Sequence, residues 1–259
     1  MAFAELDGVR IHFEVAGEAG LPALVLSNSL GVNLSMWEPQ VSALASHFRL
    51  VRYDTRGHGQ SSIPPGPYTI AELGRDVLGL LDLLEIGQAS FCGISMGGVI
   101  GQWLGIHAPG HIRKLILANT AARIGVEDVW NARIATVLSE GLGSIIPGTL
   151  ERWFTPDFHA AHPETVAATS AMLQATSAQG YAACCAAIRD ADFRTSMHQI
   201  AAPTLVIAGI HDPVTTPADS HFLAEHIPEA RCIELRSAHL SNIEASGEFN
   251  AALLRFLQD

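Results

Sequence analysis

Short, mostly apolar runs alternate along this chain with longer stretches whose apolar residues recur every three to four positions. The runs Ala23–Ser27, Arg49–Tyr53, Ala89–Ile94, Ile112–Ala118, 204–208 and Arg231–Leu235 have strand length, and most lack the polar alternation of a half-solvated strand. Between them, Leu73, Val77, Leu80, Leu81 and Leu84 mark one face of a helix, and Thr69 with Glu72 forms a capping box at its start. Ser35 and Glu38 have the same spacing and predict a second helix running to about His47. Further helices are predicted over 97–107, 217–227 and 243–258, with Thr216 and Pro217 as a cap and first-turn pair. At the N-terminal end, Ala2–Leu6 and Val9–Ala16 flank Asp7-Gly8, a hairpin signal.

The rhythm fails once. From Ala121 no strand-like run occurs until Thr204, and the stretch between is alanine-rich with helical spacing, broken at Pro147-Gly148, Pro156 and Pro163. Strand–helix alternation on both sides of this gap predicts an α/β fold: a mostly parallel twisted sheet flanked by helices, with a helical cap inserted between two strands. The expected division is a core of 1–120 and 196–259 with a cap of 121–195. No repeat, low-complexity tract or interdomain linker interrupts the chain.

Composition narrows the function classes. With 259 residues, 48% hydrophobic and 16% charged, the chain is neither disordered nor a coiled coil. A net charge of −11 argues against a nucleic-acid binder, which needs a basic face. Cys92, Cys184, Cys185 and Cys232 have no metal-type spacing, and packed, reduced thiols are expected. The first ten residues hold no apolar stretch of signal-peptide length, and no run reaches the ~18 apolar residues of a membrane span. A cytoplasmic protein is therefore expected, with no membrane partner.

The candidate chemistry starts at Gly93-Ile94-Ser95-Met96-Gly97. This G-x-S-x-G stands between a predicted strand and a predicted helix, the setting of a nucleophile elbow, in which a serine sits on a turn too tight for larger neighbours. A plain glycine turn carrying a surface serine is the competing reading. A serine hydroxyl needs a base. Of the twelve histidines, His239 alone follows the last strand on a loop before the final helix. The base needs a carboxylate to hold its tautomer, and Asp212, in the turn after the 204–208 strand, belongs to the same carboxyl edge as Ser95. The order Ser95, Asp212, His239 is that of the α/β hydrolases rather than either serine-protease order. The Met96 N–H and the Leu30 N–H, the latter from the loop Asn28-Ser29-Leu30-Gly31, are the expected oxyanion donors.

Taken with Asp54-Thr55-Arg56-Gly57-His58-Gly59-Gln60-Ser61 and Ser237-Ala238-His239, these motifs resemble the α/β-hydrolase superfamily across nearly the whole chain. Asn28-Ser29-Leu30-Gly31, the stretch from Ala118 to Gly125 and Arg152-Trp153-Phe154-Thr155 resemble one branch of it, the 3-oxoadipate enol-lactonases. That resemblance implies a cofactor-free hydrolase that opens a small anionic lactone in bacterial degradation of aromatic compounds. Esterases, carbon–carbon-bond hydrolases and perhydrolases share much of the pattern, and a slow-turnover ligand receptor on the same scaffold is the alternative outside enzymes. Arg56 and His58 are expected to fix their turn rather than touch substrate, and the scattered histidines make no metal site.

An anionic substrate needs a local cation on a chain of charge −11. Trp130 and Arg133 share one predicted helical face at i, i+3, an aromatic wall beside a guanidinium, and Trp153 next to Arg152 has a similar claim. Arg133, Trp130 and Trp153 are therefore the expected substrate-binding residues; a surface arginine lying along tryptophan is the competing reading. The oligomeric state is not legible from these residues.

Overall fold

The computed structural model describes residues 2–259, so Met1, the first residue of the expected core, lies outside the described residues. Among the described residues eight strands form one sheet: β1 (Ala2–Leu6), β2 (Val9–Ala16), β3 (Ala23–Ser27), β4 (Arg49–Tyr53), β5 (Ala89–Ile94), β6 (Ile112–Ala118), β7 (Thr204–Gly209) and β8 (Arg231–Leu235). Their spatial order is β1-β2-β4-β3-β5-β6-β7-β8. The β1/β2 hairpin joins antiparallel, and every pairing from β4 to β8 is parallel. The chain lays β4 on one side of β3 and then returns to place β5 on the other. Loops leaving β3 and β5 therefore diverge, and a crevice opens at their carboxyl ends, the usual place for a ligand in such sheets.

The helices are α1 (Glu38–Leu44), α2 (Ile70–Leu83), α3 (Met96–His107), α4 (Glu127–Glu140), α5 (Ile146–Trp153), α6 (Pro156–Ala161), α7 (Pro163–Ala175), α8 (Ala178–Asp190), α9 (Pro217–His226), α10 (Ser241–Glu244) and α11 (Ser246–Gln258). Helix α2 has the expected capping box, with the Glu72 carboxylate accepting from Thr69 N and Thr69 Oγ1 accepting from Glu72 N. Leu73, Val77, Leu80 and Leu81 on its predicted apolar face are buried. Two expected helices differ. Asn33, not Ser35, caps the first: its side chain accepts from Ser35 N, a 3₁₀ turn covers Leu34–Trp37, and α1 starts only at Glu38 and ends at Leu44. Pro39 explains the late start, because a residue without an N–H fits only the first turn of a helix. The helix predicted over 243–258 is two, broken at Ala245. The break accompanies tertiary ties: Leu240 N donates to Trp153 O, and Glu244 accepts from Ala238 N and from Thr155 N and Oγ1.

Helices α4 to α8 all lie in sequence between β6 and β7 and pack over the carboxyl edge of the sheet. Their docking is close. A Cβ on Gly57 would lie 2.7 Å from Gly180 Cα, and one on Gly180 would lie 2.1 Å from Gly57 O, so the turn after β4 and the start of α8 cross backbone to backbone. Nearby, Thr176 Oγ1 lies 2.8 Å from Gly31 O and 3.0 Å from Met172 O, and its one proton is shared between these carbonyls. Cys92, Cys184 and Cys185 are buried free thiols; burial pushes all three thiol pKa values up, which keeps them protonated and inert. No helix among the described residues is long and apolar enough to cross a membrane.

Candidate active site

Ser95 sits between β5 and α3 at φ 56°, ψ −115°, a conformation that costs a non-glycine residue on the order of 1–3 kcal/mol. Its neighbours hold it there. A Cβ on Gly93 would meet Gly97 O at 2.1 Å, and one on Gly97 would meet Ser27 O at 2.3 Å, so both flanking positions must be glycine. The backbone of Ser95 is tied to β6 and its loop: Ser95 N donates to Ala118 O, and Thr120 Oγ1 donates to Ser95 O at 2.8 Å.

His239 and Asp212 meet from the loops after β8 and β7, with Nδ1 2.7 Å from Oδ2 and both side chains fully buried. Among the described residues, the groups that meet the Asp212 carboxylate are donors or are able to donate. Val214 N and Thr215 N reach Oδ1, whereas Thr215 Oγ1, Asn119 Nδ2 and His239 Nδ1 reach Oδ2. Burial works against charge here, but His239 and these hydrogen bonds win and hold the carboxyl below the usual carboxylate range. An ionised Oδ2 makes His239 Nδ1 the protonated nitrogen, which leaves Nε2 as the acceptor.

Ser95 and His239 line one cavity of about 340 Å³, and the described residues make no hydrogen bond between them. Leu30, Trp130, Arg133 and Trp153 line the same cavity. Met96 is buried at the head of α3, and Asp212 lies behind His239. Among the described residues neither the Leu30 N–H nor the Met96 N–H has a hydrogen-bond partner, although the adjoining Ser29, Gly31 and Gly97 N–H groups all do.

Behind Leu30, the buried His58 accepts from Gly31 N through Nε2 at 2.9 Å. Burial pushes its pKa down to about 4, so the ring stays neutral and can accept. Arg56 forms a bidentate pair with Asp76 at 2.7 and 2.6 Å. Both residues fix the Asp54–Ser61 turn and neither lines the cavity.

The wall facing Ser95 comes from α4, α5 and α8. Arg133 Nη1 donates to Tyr181 OH at 2.8 Å, and Trp130 Nε1 is held by Ile124 O at 2.7 Å. The Trp153 ring stacks on His239, with centroids 6.3 Å apart and planes 30° apart. Arg152 lines the cavity too, and its pKa is lowered by burial and then by repulsion from Arg133. Among the described residues neither arginine pairs with a carboxylate. Two neighbouring guanidinium groups without a carboxylate in ion-pair contact can accept an anion between them.

Sequence reasoning missed Tyr181 and Asn119. Tyr181 is the only aromatic residue in the alanine-rich 178–190 stretch, a faint signal. Asn119 stands in the stretch that carries the branch resemblance, but its contact with Asp212 spans 93 residues and has no local signature.

A model of the α/β-hydrolase fold matches residues 22–246. The chain is 49% identical to 3-oxoadipate enol-lactonase 2 of Acinetobacter baylyi over 95% of this chain and 92% of that one. It is 44% identical to 3-oxoadipate enol-lactonase 1 of the same organism, over 94% and 91%. The crystal structure of the enol-lactonase from Burkholderia xenovorans LB400 superposes with a TM-score of 0.98 at 45% identity, covering all of both chains. This chain belongs to the α/β-hydrolase fold family and, within it, resembles the 3-oxoadipate enol-lactonases.

Proposed function

We propose that this chain is a serine hydrolase that opens 3-oxoadipate enol-lactone to 3-oxoadipate, a step in bacterial degradation of aromatic compounds. One observation carries the reading: a strained serine shares a cavity with a histidine that is backed by a buried aspartate, and two arginines without carboxylate partners line the same cavity. A reactive acyl bond at one end and a carboxylate at the other is the substrate that such a cavity suits, and the identity to two enol-lactonases supports the same choice.

In this mechanism Ser95 Oγ attacks the lactone carbonyl and passes its proton to His239 Nε2. The oxyanion that forms is met by the Leu30 and Met96 N–H groups, which have no other partner to give up. Collapse breaks the bond to the ring oxygen. The leaving enolate takes the proton from His239 and tautomerises to the ketone, while the acyl group stays on Ser95. Asp212 keeps Nδ1 protonated and stabilises the imidazolium throughout. Water then gives a proton to His239 and attacks the ester, and as the intermediate collapses His239 returns that proton to Ser95 Oγ, which leaves the keto-diacid and the free enzyme. Water is the only co-reactant, and no step calls for a metal or organic cofactor.

Arg133, beside Trp130 and Trp153, binds the substrate carboxylate, with Arg152 as the second cation. Residues 121–195 act as the cap over the 1–120 and 196–259 core. The test is turnover of purified protein on the enol-lactone, on neutral esters of similar size and on dienoate substrates of carbon–carbon-bond hydrolases. A preference for the lactone, lost in Ser95→Ala, is the expected result. Faster turnover of neutral esters or of dienoates would assign a different reaction.

A further inference from the structure

Asn119 follows β6 in a left-handed conformation, φ 43°, which asparagine tolerates better than most residues. It is fully buried, and its side chain bridges two loops that come from distant parts of the sequence. Nδ2 donates to Asp212 Oδ2 at 3.0 Å and to Ala238 O, the residue before His239, at 3.1 Å; Oδ1 accepts from Ser241 Oγ at 2.5 Å. Two of these partners, a carboxylate and a carbonyl, can only accept, so the amide has one possible orientation. The next residue, Thr120, holds Ser95 O, and the preceding one, Ala118, accepts from Ser95 N. The carboxyl end of β6 therefore touches the supports of all three members of the proposed triad.

We propose that Asn119 is a positioning residue: its carboxamide locks the Asp212 carboxylate and the Ala238–His239 peptide in one geometry, and so aims the imidazole at Ser95. The inference rests on the triad reading given above. It has an electrostatic consequence. Donation from Asn119 draws charge from the oxygen that faces His239 Nδ1. Without it Oδ2 carries more charge, stabilises the imidazolium more, and moves loss of the active neutral base to higher pH. The other groups facing this pair are Arg133 of α4, Arg152 of α5 and Tyr181 of α8 across the cavity, and Glu244 of α10 at Ala238 N. None of them touches Asn119, so they are unchanged in the variants.

The test uses Asn119→Gly and Asn119→Asp. Glycine accepts the positive φ and deletes the amide; aspartate keeps the shape, and because two buried carboxyl groups this close cannot both ionise, it shares one proton with Asp212 and restores a donor there. The readout is the pH dependence of the rate at which a fluorophosphonate probe modifies Ser95, with thermal melts to verify folding. This reaction needs the Ser95–His239 pair but not the lactone, so it stands apart from the question of substrate. Asn119→Gly is expected to react roughly ten- to a hundredfold more slowly, the effect of losing one hydrogen bond to a charged group. Its acid limb should move up, and that of Asn119→Asp, whose shared proton replaces the lost donor, should move less. A folded Asn119→Gly with the native rate overturns the proposal, and so does a slow one whose acid limb has not moved, since a merely structural residue would give that pattern. A native protein that the probe does not label at Ser95 overturns instead the triad reading beneath it.

Discussion

Asp212→Asn isolates the tautomer of His239, and the structure dictates how the amide must sit. Oδ1 receives two backbone N–H groups, from Val214 and Thr215, and neither can become an acceptor. Placing the new NH₂ there would set three donors against one another. On the Oδ2 side only Asn119 Nδ2 is a fixed donor, because the Thr215 hydroxyl can rotate and the imidazole can change tautomer. The NH₂ therefore turns toward His239, whose Nδ1 becomes the acceptor and whose Nε2 acquires the proton. Such a ring cannot take the proton of Ser95, and kcat is expected to fall by up to ~10⁴-fold, by analogy with serine proteases. Exchanging the carboxylate for an amide also turns charge-assisted hydrogen bonds into ordinary ones, at about 1 kcal/mol of stability for the first of them. Single-turnover hydrolysis of a chromogenic ester gives the first quantity and urea unfolding the second. A folded Asp212→Asn protein within tenfold of the native kcat would refute the assignment of Asp212 as the triad acid.

Other perturbations are expected to separate the remaining roles. Ser95→Ala should leave Tm nearly unchanged and abolish turnover; residual hydrolysis near the native rate would point to another nucleophile. Arg133→Ala should lower kcat/KM for the carboxylated lactone by roughly ten- to a hundredfold, one charge-assisted contact, while a neutral ester is little affected. Equal losses on both would mean a damaged cap rather than a lost anion seat. His58 has a folded pKa of about 4 against an ordinary 6.5, so the unfolded chain takes up its proton first as pH falls. The stability tied to it is complete above about pH 6.5, falls between there and about pH 4 and is flat below, a total on the order of 3 kcal/mol. His58→Gln keeps an acceptor for Gly31 N and should flatten that slope in urea titrations; an unchanged slope would locate the acid sensitivity elsewhere.

The inner strands were legible because each is a short, mostly apolar run, the β1/β2 pair because Asp7-Gly8 signals a hairpin, and the elbow because the glycines at 93 and 97 answer a local steric demand. Pro39 overrode a good capping pair at Ser35 and Glu38, and long-range ties through Leu240 and Glu244 accompany a break in a helix whose spacing reads as continuous. Trp130 and Arg133 were legible as neighbours on one face, and the structure brings that face to the cavity wall. What pairs with them was not. Tyr181 reaches Arg133 across 48 residues, and periodicity within a segment carries no information on which segments meet.

The crossing of Gly57 and Gly180 limits how freely the two parts of the chain can be recombined. With a 2.1 Å clash waiting at either a larger Gly180 or a displaced turn, α8 rests on the turn after β4 with no tolerance for a side chain between them. A helical segment transplanted from another hydrolase would need a glycine at this one place, whatever specificity residues it brought. Without it the whole segment must stand off from the sheet edge. Thr176 would then lose Gly31 O, and the Leu30 loop would lose its support from above. Swapping specificity by exchanging helices thus depends on a position outside the cavity lining.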